Sequence, residues 1–286
     1  MQISKIALSC LFGLGLTIAS QAQIQTPAAS PRATVIQAVG LTSVTIDYSR
    51  PGAKGREIFG VLVPYGEIWR TGADAATRIA FDHDVSFGGE PIEAGEYALY
   101  TIPGEQEWTV ILYADTSNWG AQGYDPENDV LRVQAPVQRI EPFLETFTIG
   151  LDHLRDDSAK LHLDWAHTRV AVEITTDTSS RVEASIRAAM ENPESLGPRD
   201  YASAAVFYLN QERELEKAKT WMEKALEEAS HAFWWEHSYA RILAGLGENE
   251  AAIEAAKSSL EKARATGGRA FGYVDLNEAL IERLQY

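Results

Sequence analysis

Cysteine is almost absent: the 286-residue chain holds one, Cys10. Cys10 lies inside an apolar N-terminal stretch, so a chain processed beyond it carries no thiol. Disulfides, thiolate metal sites and a cysteine nucleophile are then excluded together, and the core must hold by packing alone. Long apolar runs are also lacking after residue 22, which leaves no later segment able to span a bilayer. Positive charge is scarce too. The 25 Lys and Arg stand against 41 Asp and Glu, a formal net charge of −16. That excess of carboxylates favours solubility and repels phosphate backbones and anionic headgroups, so nucleic acid is a poor candidate partner.

What is present begins with the leader MQISKIALSCLFGLGLTIASQAQ. One positive charge at Lys5, an apolar run over residues 6–18 and the small-residue site Ser20-Gln21-Ala22 match the three regions of a secretory signal. Residues 1–22 are therefore expected to be a signal peptide cleaved after Ala22, and the protein to be periplasmic or secreted. An anchor fits less well, because the run is short of the roughly 20 residues a bilayer requires and contains Gly13 and Gly15. Losing Lys5 with the leader takes the net charge one unit further negative.

Residues 23–31 are small, polar and proline-bearing, a flexible leader into the first folded element. From there to residue 177 the chain reads as short strands, at 34–39, 43–48, 97–102, 108–113, 143–149, 160–165 and 170–175. These are rich in β-branched and aromatic residues and punctuated by Gly, Pro, Asp and Asn. In the segment at 160–165 the period of two sets Leu161, Leu163 and Trp165 on one face and Lys160, His162 and Asp164 on a wetted one. The expected fold over 32–177 is an antiparallel β-sandwich or jelly roll. Two long loops, 49–77 and 115–129, interrupt it with the Gly, Pro, aromatic and charged mixture of functional loops.

Beyond residue 177 helical periodicity takes over, broken into about six helices across 181–286. LEKAKTWMEKALEEA at 215–229 and NEAAIEAAKSSLEKA at 249–263 superpose with Ala218 on Ala252, an offset of about 34 residues. That period is the tetratricopeptide one, so the region resembles a tetratricopeptide array, with a generic helical bundle as the alternative.

Chemical signatures are few. The mature chain has no GxSxG elbow, HExxH, Walker loop, GxGxxG or calcium-hand loop. Pro51-Gly52-Ala53-Lys54-Gly55-Arg56 is glycine-rich and basic but lacks the spacing of a phosphate loop. The six histidines fall at no compact metal-ligand spacing; His162 and Asp164 share a strand face near His167, and Asp125, Glu127, Asn128 and Asp129 cluster in a loop without a calcium pattern. No metal and no cofactor is expected.

The local candidate is the long-loop cluster. Arg50, Lys54, Arg56 and Arg70 concentrate positive charge in an acidic chain, Asp74 lies among them, and Trp69, Trp119 and Tyr124 stand in or beside the loops. Guanidinium forks pair with carboxylate or sulfate and rings stack on planar faces, so a small anionic or sugar-like ligand is one reading. The other is internal: arginines tied to backbone carbonyls and to Asp74 or Glu57, with Trp69 plugging the core.

Residues 30–79 (SPRATVIQAVGLTSVTIDYSRPGAKGREIFGVLVPYGEIWRTGADAATRI), 93–133, 143–151 and 161–174 resemble the DUF2911 family of exported bacterial proteins. Its SRP…GR.IFG.LVPYG..WRTGA and WG…Y.P..D runs occur here together and in order. The resemblance implies export, a β-rich fold and importance of the two loops, but no activity. Asp74 and His167 stand where the family is expected to carry asparagine, and a carboxylate at 74 cannot donate a hydrogen bond to a ligand.

The expected function is an exported, non-enzymatic ligand-binding or assembly protein, with a protein or peptide partner on the helical region. The alternative is a hydrolase or carbohydrate-active enzyme using Asp74, Glu57 or Asp125.

Overall fold

The computed structural model describes residues 26–267 and 270–285, so the leader and its cleavage site lie outside the described residues. The chain divides into two compact units, the first ending at Thr176 and the second starting at Asp177. Residues 26–30 carry no strand or helix, and the Pro31 carbonyl, at the end of the predicted leader, accepts the Arg50 N–H at 2.9 Å.

The first unit is a large antiparallel sheet of nine strands: β1 (Arg32–Val39), β2 (Thr42–Ser49), β3 (Thr77–Phe81), β4 (Val85–Phe87), β5 (Glu90–Ile92), β6 (Gly95–Ile102), β7 (Glu107–Tyr113), β8 (Asp129–Asp152) and β9 (Ser158–Thr176). Their spatial order is β1-β2-β3-β6-β7-β8-β9-β4-β5, with every pair antiparallel. The sheet is continuous because β8 serves both of its limbs. Residues 129–136 pair with β7, and residues 137–152 pair with β9 across register shifts at Arg139/Leu144 and Leu144/Thr148. Such irregularities bend a strand and increase its twist, and here the limbs fold over a shared core.

Val44, Ile46 and Tyr48 of β2 enter that core with Phe147, Ile149, Leu161 and Trp165 from the far limb. The Tyr48 hydroxyl binds the Ile149 carbonyl and N–H at 3.1 and 2.9 Å, a buried link between strands that are not sheet neighbours. Strand alternation explains the second, smaller core. In β6, Leu99 faces the shared interior while Ala98 and Tyr100 point to the opposite side, where Ala76, Ile111 and Tyr113 join them beneath the 115–129 loop.

Two expectations change. The segments expected at 160–165 and 170–175 are one strand, β9, in which Ala166 takes a φ of 54° opposite the irregular stretch of β8. The expected wetted face is also incorrect at its centre. Asp164 is only 3 % exposed, gripped by Arg169 through two hydrogen bonds of 2.8 and 2.6 Å, with His162 Nδ1 at 3.0 Å. Arg169, five residues along on the same bent strand, supplies the partner that periodicity alone did not reveal.

The second unit is six helices: α1 (Thr178–Met190), α2 (Pro198–Asn210), α3 (Leu215–Glu228), α4 (Phe233–Gly245), α5 (Asn249–Ala265) and α6 (Tyr273–Gln285). Local chemistry starts the first two: the Asp177 side chain accepts the Ser180 N–H, and Pro198 opens α2 with Asp200 reaching back to the Gly197 N–H. From α2 onward each helix packs on the next. Residues 34 apart occupy equivalent interior positions: Ala218 and Ala252, Met222 and Ala256, Ala225 and Ser259, Ala229 and Ala263 are all buried. Small side chains there let neighbouring helices approach closely. Helix α1 stands apart from this pattern, since only Thr178 is buried along it.

Candidate functional site

The eight loop residues fall into three groups. Arg50, Lys54 and Arg56 line the start of the first long loop, where it runs beside residues 145–148 of β8. Arg50 donates from Nε to the Phe147 carbonyl at 3.2 Å and from Nη2 to Thr148 Oγ1 at 2.8 Å. Arg56 donates to the carbonyls of Ala53 and Gly52 at 3.0 and 2.6 Å, folding its own turn. The Lys54 N–H is held by Glu145 Oε1 at 2.7 Å, and its ammonium reaches the Ala29 carbonyl at 3.3 Å. Arg50 ties the loop to β8 and Lys54 ties it to the segment before β1, while Arg56 holds the turn between them.

Trp69 belongs to the core. It is 9 % exposed, and its ring meets Phe59, Trp108, Phe147 and Trp165 at centroid separations of 5.1 to 6.1 Å. Its indole N–H donates to the Gly72 carbonyl at 3.1 Å. Two backbone hydrogen bonds to Thr101, 2.7 and 2.9 Å, lock the chain here onto the edge of β6.

That lock aims the next residue, Arg70, the other way. Thr71 follows, fully buried at a φ of 54°, a left-handed backbone that a β-branched residue adopts only under constraint. The constraint is visible: the Thr71 carbonyl accepts from Thr77 Oγ1 at 2.6 Å, its hydroxyl lies 3.2 Å from Thr101 Oγ1, and the Arg70 carbonyl accepts the Thr77 N–H at 3.2 Å. The Arg70 side chain runs under the second loop, where a Cβ built on Gly120 would stand 3.3 Å from Nη1.

Beneath the same loop Tyr100, Tyr113 and Tyr124 form a ring cluster with centroids 5.1 to 5.3 Å apart. The Tyr100 hydroxyl donates to the Gly120 carbonyl at 2.9 Å. Tyr124 donates to Asp129 at 2.8 and 2.9 Å, and Arg132 closes the triad on Asp129 and on the Tyr124 oxygen. Burial, reinforced by the bond to Asp129, pushes the Tyr124 phenol up to about 12, so it remains a neutral donor.

Against this network two groups stand out. Arg70 makes no hydrogen bond or ion pair among the described residues, and its Nε is buried without a partner; Asn118 Nδ2, in the second loop, is buried and meets no acceptor in full hydrogen-bond geometry, although the Asn118 side chain lies against the Tyr100 phenol and favours its ionised form. A buried donor without an acceptor costs about 1–3 kcal/mol. Trp119 follows Asn118 with its ring 71 % exposed. The fold thus brings Arg70 under the second loop, which itself carries Trp119 and Tyr124. Asp74 is exposed at a φ of 60°, and neither it nor Glu57 pairs with any of the arginines. Asn118 and Tyr100 were not singled out from the sequence; the alternation of β6 puts Tyr100 on the loop side, and Asn118 was readable only as a polar neighbour of Trp119.

Residues 30–174 match the family model described as a protein of unknown function, DUF2911. The chain belongs to the DUF2911 family. The match covers both long loops and ends two residues before β9 does, so Arg70, Asn118 and Tyr124 are all features of the DUF2911 domain, while the helical unit lies outside it. No curated protein and no solved structure matches the chain. Among the described residues no three His, Cys, Asp or Glu side chains converge as they would around a metal ion, and no helix is long and apolar enough to cross a membrane.

Proposed function

We propose that this is an exported binding protein whose DUF2911 domain takes up a small anionic ligand at Arg70 and Asn118. Its folded sheet is a sandwich-type scaffold, and its helical unit is a tetratricopeptide-like array that holds a protein or peptide partner. The observation that carries the ligand site is the contrast among the arginines. Arg50 and Arg56 are spent on backbone carbonyls and the Thr148 hydroxyl, whereas Arg70 Nε and Asn118 Nδ2 are buried donors without a well-placed acceptor. A carboxylate or sulfate supplies acceptors for such a set, and a ring or sugar face attached to it stacks on the exposed Trp119.

Export rests on the form of residues 1–22 and on the absence of cysteine from everything after them. The array reading rests on the buried small residues repeated at an offset of about 34. A hydrolase reading draws less support. Asp74, Glu57 and Asp125 are all exposed, and Asp125 accepts the Glu127 N–H to start a short 3-10 turn.

Thermal denaturation against a panel of mono- and dicarboxylates, sulfate and uronic acids tests the ligand site. A true ligand at 100 times its Kd adds about 2.7 kcal/mol, a shift of several degrees. Arg70→Gln and Asn118→Ala should each abolish the shift. A panel with no stabilising member, or a shift that survives Arg70→Gln, overturns the site.

A further inference from the structure

The helical unit leaves a two-part cavity open between α4 and α6. One part, about 430 Å³, is walled by Phe233, Trp234, Phe271 and Tyr273, with Phe271 itself 85 % exposed. The other, about 420 Å³, is lined by His237, Ser238 and Arg241 of α4 and by Leu276 and Arg283 of α6. Tyr273 borders both parts.

The cationic part has no carboxylate in its lining, in a chain where Asp and Glu outnumber Lys and Arg by 41 to 25. Helix geometry accounts for the segregation. Trp234, His237 and Arg241 share one face of α4, and Tyr273, Leu276 and Arg283 share one face of α6. The single acid of α4, Glu236, is held on another face by Ser258 at 2.7 Å and Lys262 at 2.9 Å, and Glu278 of α6 pairs with Arg264. Arg241 and Arg283 make no hydrogen bond and no ion pair among the described residues.

His237 adds a directional group. Asn277 is buried, and its Nδ2 donates to Ser259 Oγ at 2.9 Å and to the Tyr273 carbonyl at 2.8 Å, which leaves its Oδ1 to accept from His237 Nδ1 at 2.8 Å. That bond places the ring proton on Nδ1 and leaves Nε2 as an unbonded acceptor on a residue lining the cavity.

We infer that the α4–α6 cavity docks an extended acidic peptide: an aromatic or large apolar side chain enters the Trp234–Tyr273 part, downstream carboxylates pair with Arg241 and Arg283, and a backbone N–H donates to His237 Nε2. Spacing sets the pattern. Arg241 lies seven residues beyond Trp234 and Arg283 ten beyond Tyr273, about 10 and 15 Å along their helices. An extended chain covers those distances in about three and five residues. The inference rests on the reading of the helical unit as a partner-binding scaffold and is independent of the Arg70 site.

Fluorescence polarisation on the full chain without residues 1–22 tests it. The probe is a labelled peptide Phe-Ala-Ser-Asp-Ser-Glu; the controls replace Asp and Glu by Asn and Gln, Phe by Ala, or both acids by Lys. The acidic peptide should bind saturably and at least tenfold more tightly than each control, and 0.5 M salt should weaken it several-fold. Arg241→Gln and Arg283→Gln, both exposed positions, should each weaken it fivefold or more with unchanged far-UV circular dichroism, and Arg70→Gln should leave it unaltered. Equal binding of the Asn/Gln peptide, or preference for the Lys peptide, overturns the acidic specificity and leaves the scaffold standing. Failure of all four peptides to bind at 1 mM overturns both.

Discussion

Replacing Arg50 and Arg70 by methionine should have opposite consequences, although the two stand on one loop. Arg50→Met removes two hydrogen bonds that hold the loop to β8, and unfolding by urea should show a loss of about 1–2 kcal/mol. Arg70→Met removes a buried, unpartnered Nε, so stability should be unchanged or slightly raised while ligand uptake is lost. A side chain that destabilises its own fold is explained by binding. A stability loss at Arg70 equal to that at Arg50 would show that it is structural. The sequence offered four cations and no means to rank them, because the ranking depends on carbonyls of β8 nearly 100 residues away.

At the scale of elements, the helical unit depends on small residues at fixed places. Ala252 of α5 is fully buried, as is its counterpart Ala218 in α3. Ala252→Leu should overpack the contact with α4 and lower the unit's stability by about 1–3 kcal/mol, read as an earlier loss of helical circular dichroism. A melt identical to that of the parent would refute close packing at this position. Here the sequence was highly legible, since an alanine repeated at a fixed offset reflects steric limits that act within a few turns of helix. The strands were less so. Residues 131–138 of β8 do alternate, with Leu131, Val133, Ala135 and Val137 turned in and Arg132, Gln134, Pro136 and Gln138 exposed, but Pro136 and Pro142 interrupt the strand signature, and the pairing with β7 and β9 carries the strand through them.

At the scale of the molecule, the two units should respond to acid in different windows. Burial lowers the pKa of His237, opposed by its bond to Asn277, so the folded helical unit keeps the ring neutral where the unfolded chain takes up a proton. A folded pKa below the unfolded one contributes stability that is present above about pH 6.5 and is lost as pH falls from there. In the first unit, hydrogen bonding from Arg32 holds Asp47 below the usual carboxylate range. Burial pushes Asp164 upward, but hydrogen bonds from His162 and Arg169 more than offset it. Those contributions are intact above about pH 4 and are lost only below it. Calorimetry should therefore resolve two transitions that separate between pH 7 and pH 5 as the helical one moves down. His237→Gln should remove that movement, and two transitions shifting in parallel would refute the assignment.

Length, charge and the one early cysteine determined a great deal unaided, because they act without regard to folding: an acidic chain, cysteine-free after residue 10 and long enough for two parts. Periodicity added the helices, whose contacts are local in sequence. The tertiary structure alone decided which charges are spent. Arg50 finds its carbonyl on β8, Asp164 is buried by the bend of β9, and Arg70 Nε and Asn118 Nδ2 are buried without a hydrogen-bond acceptor. Whether a polar side chain is satisfied or available depends on partners that only long-range pairing brings within hydrogen-bond distance.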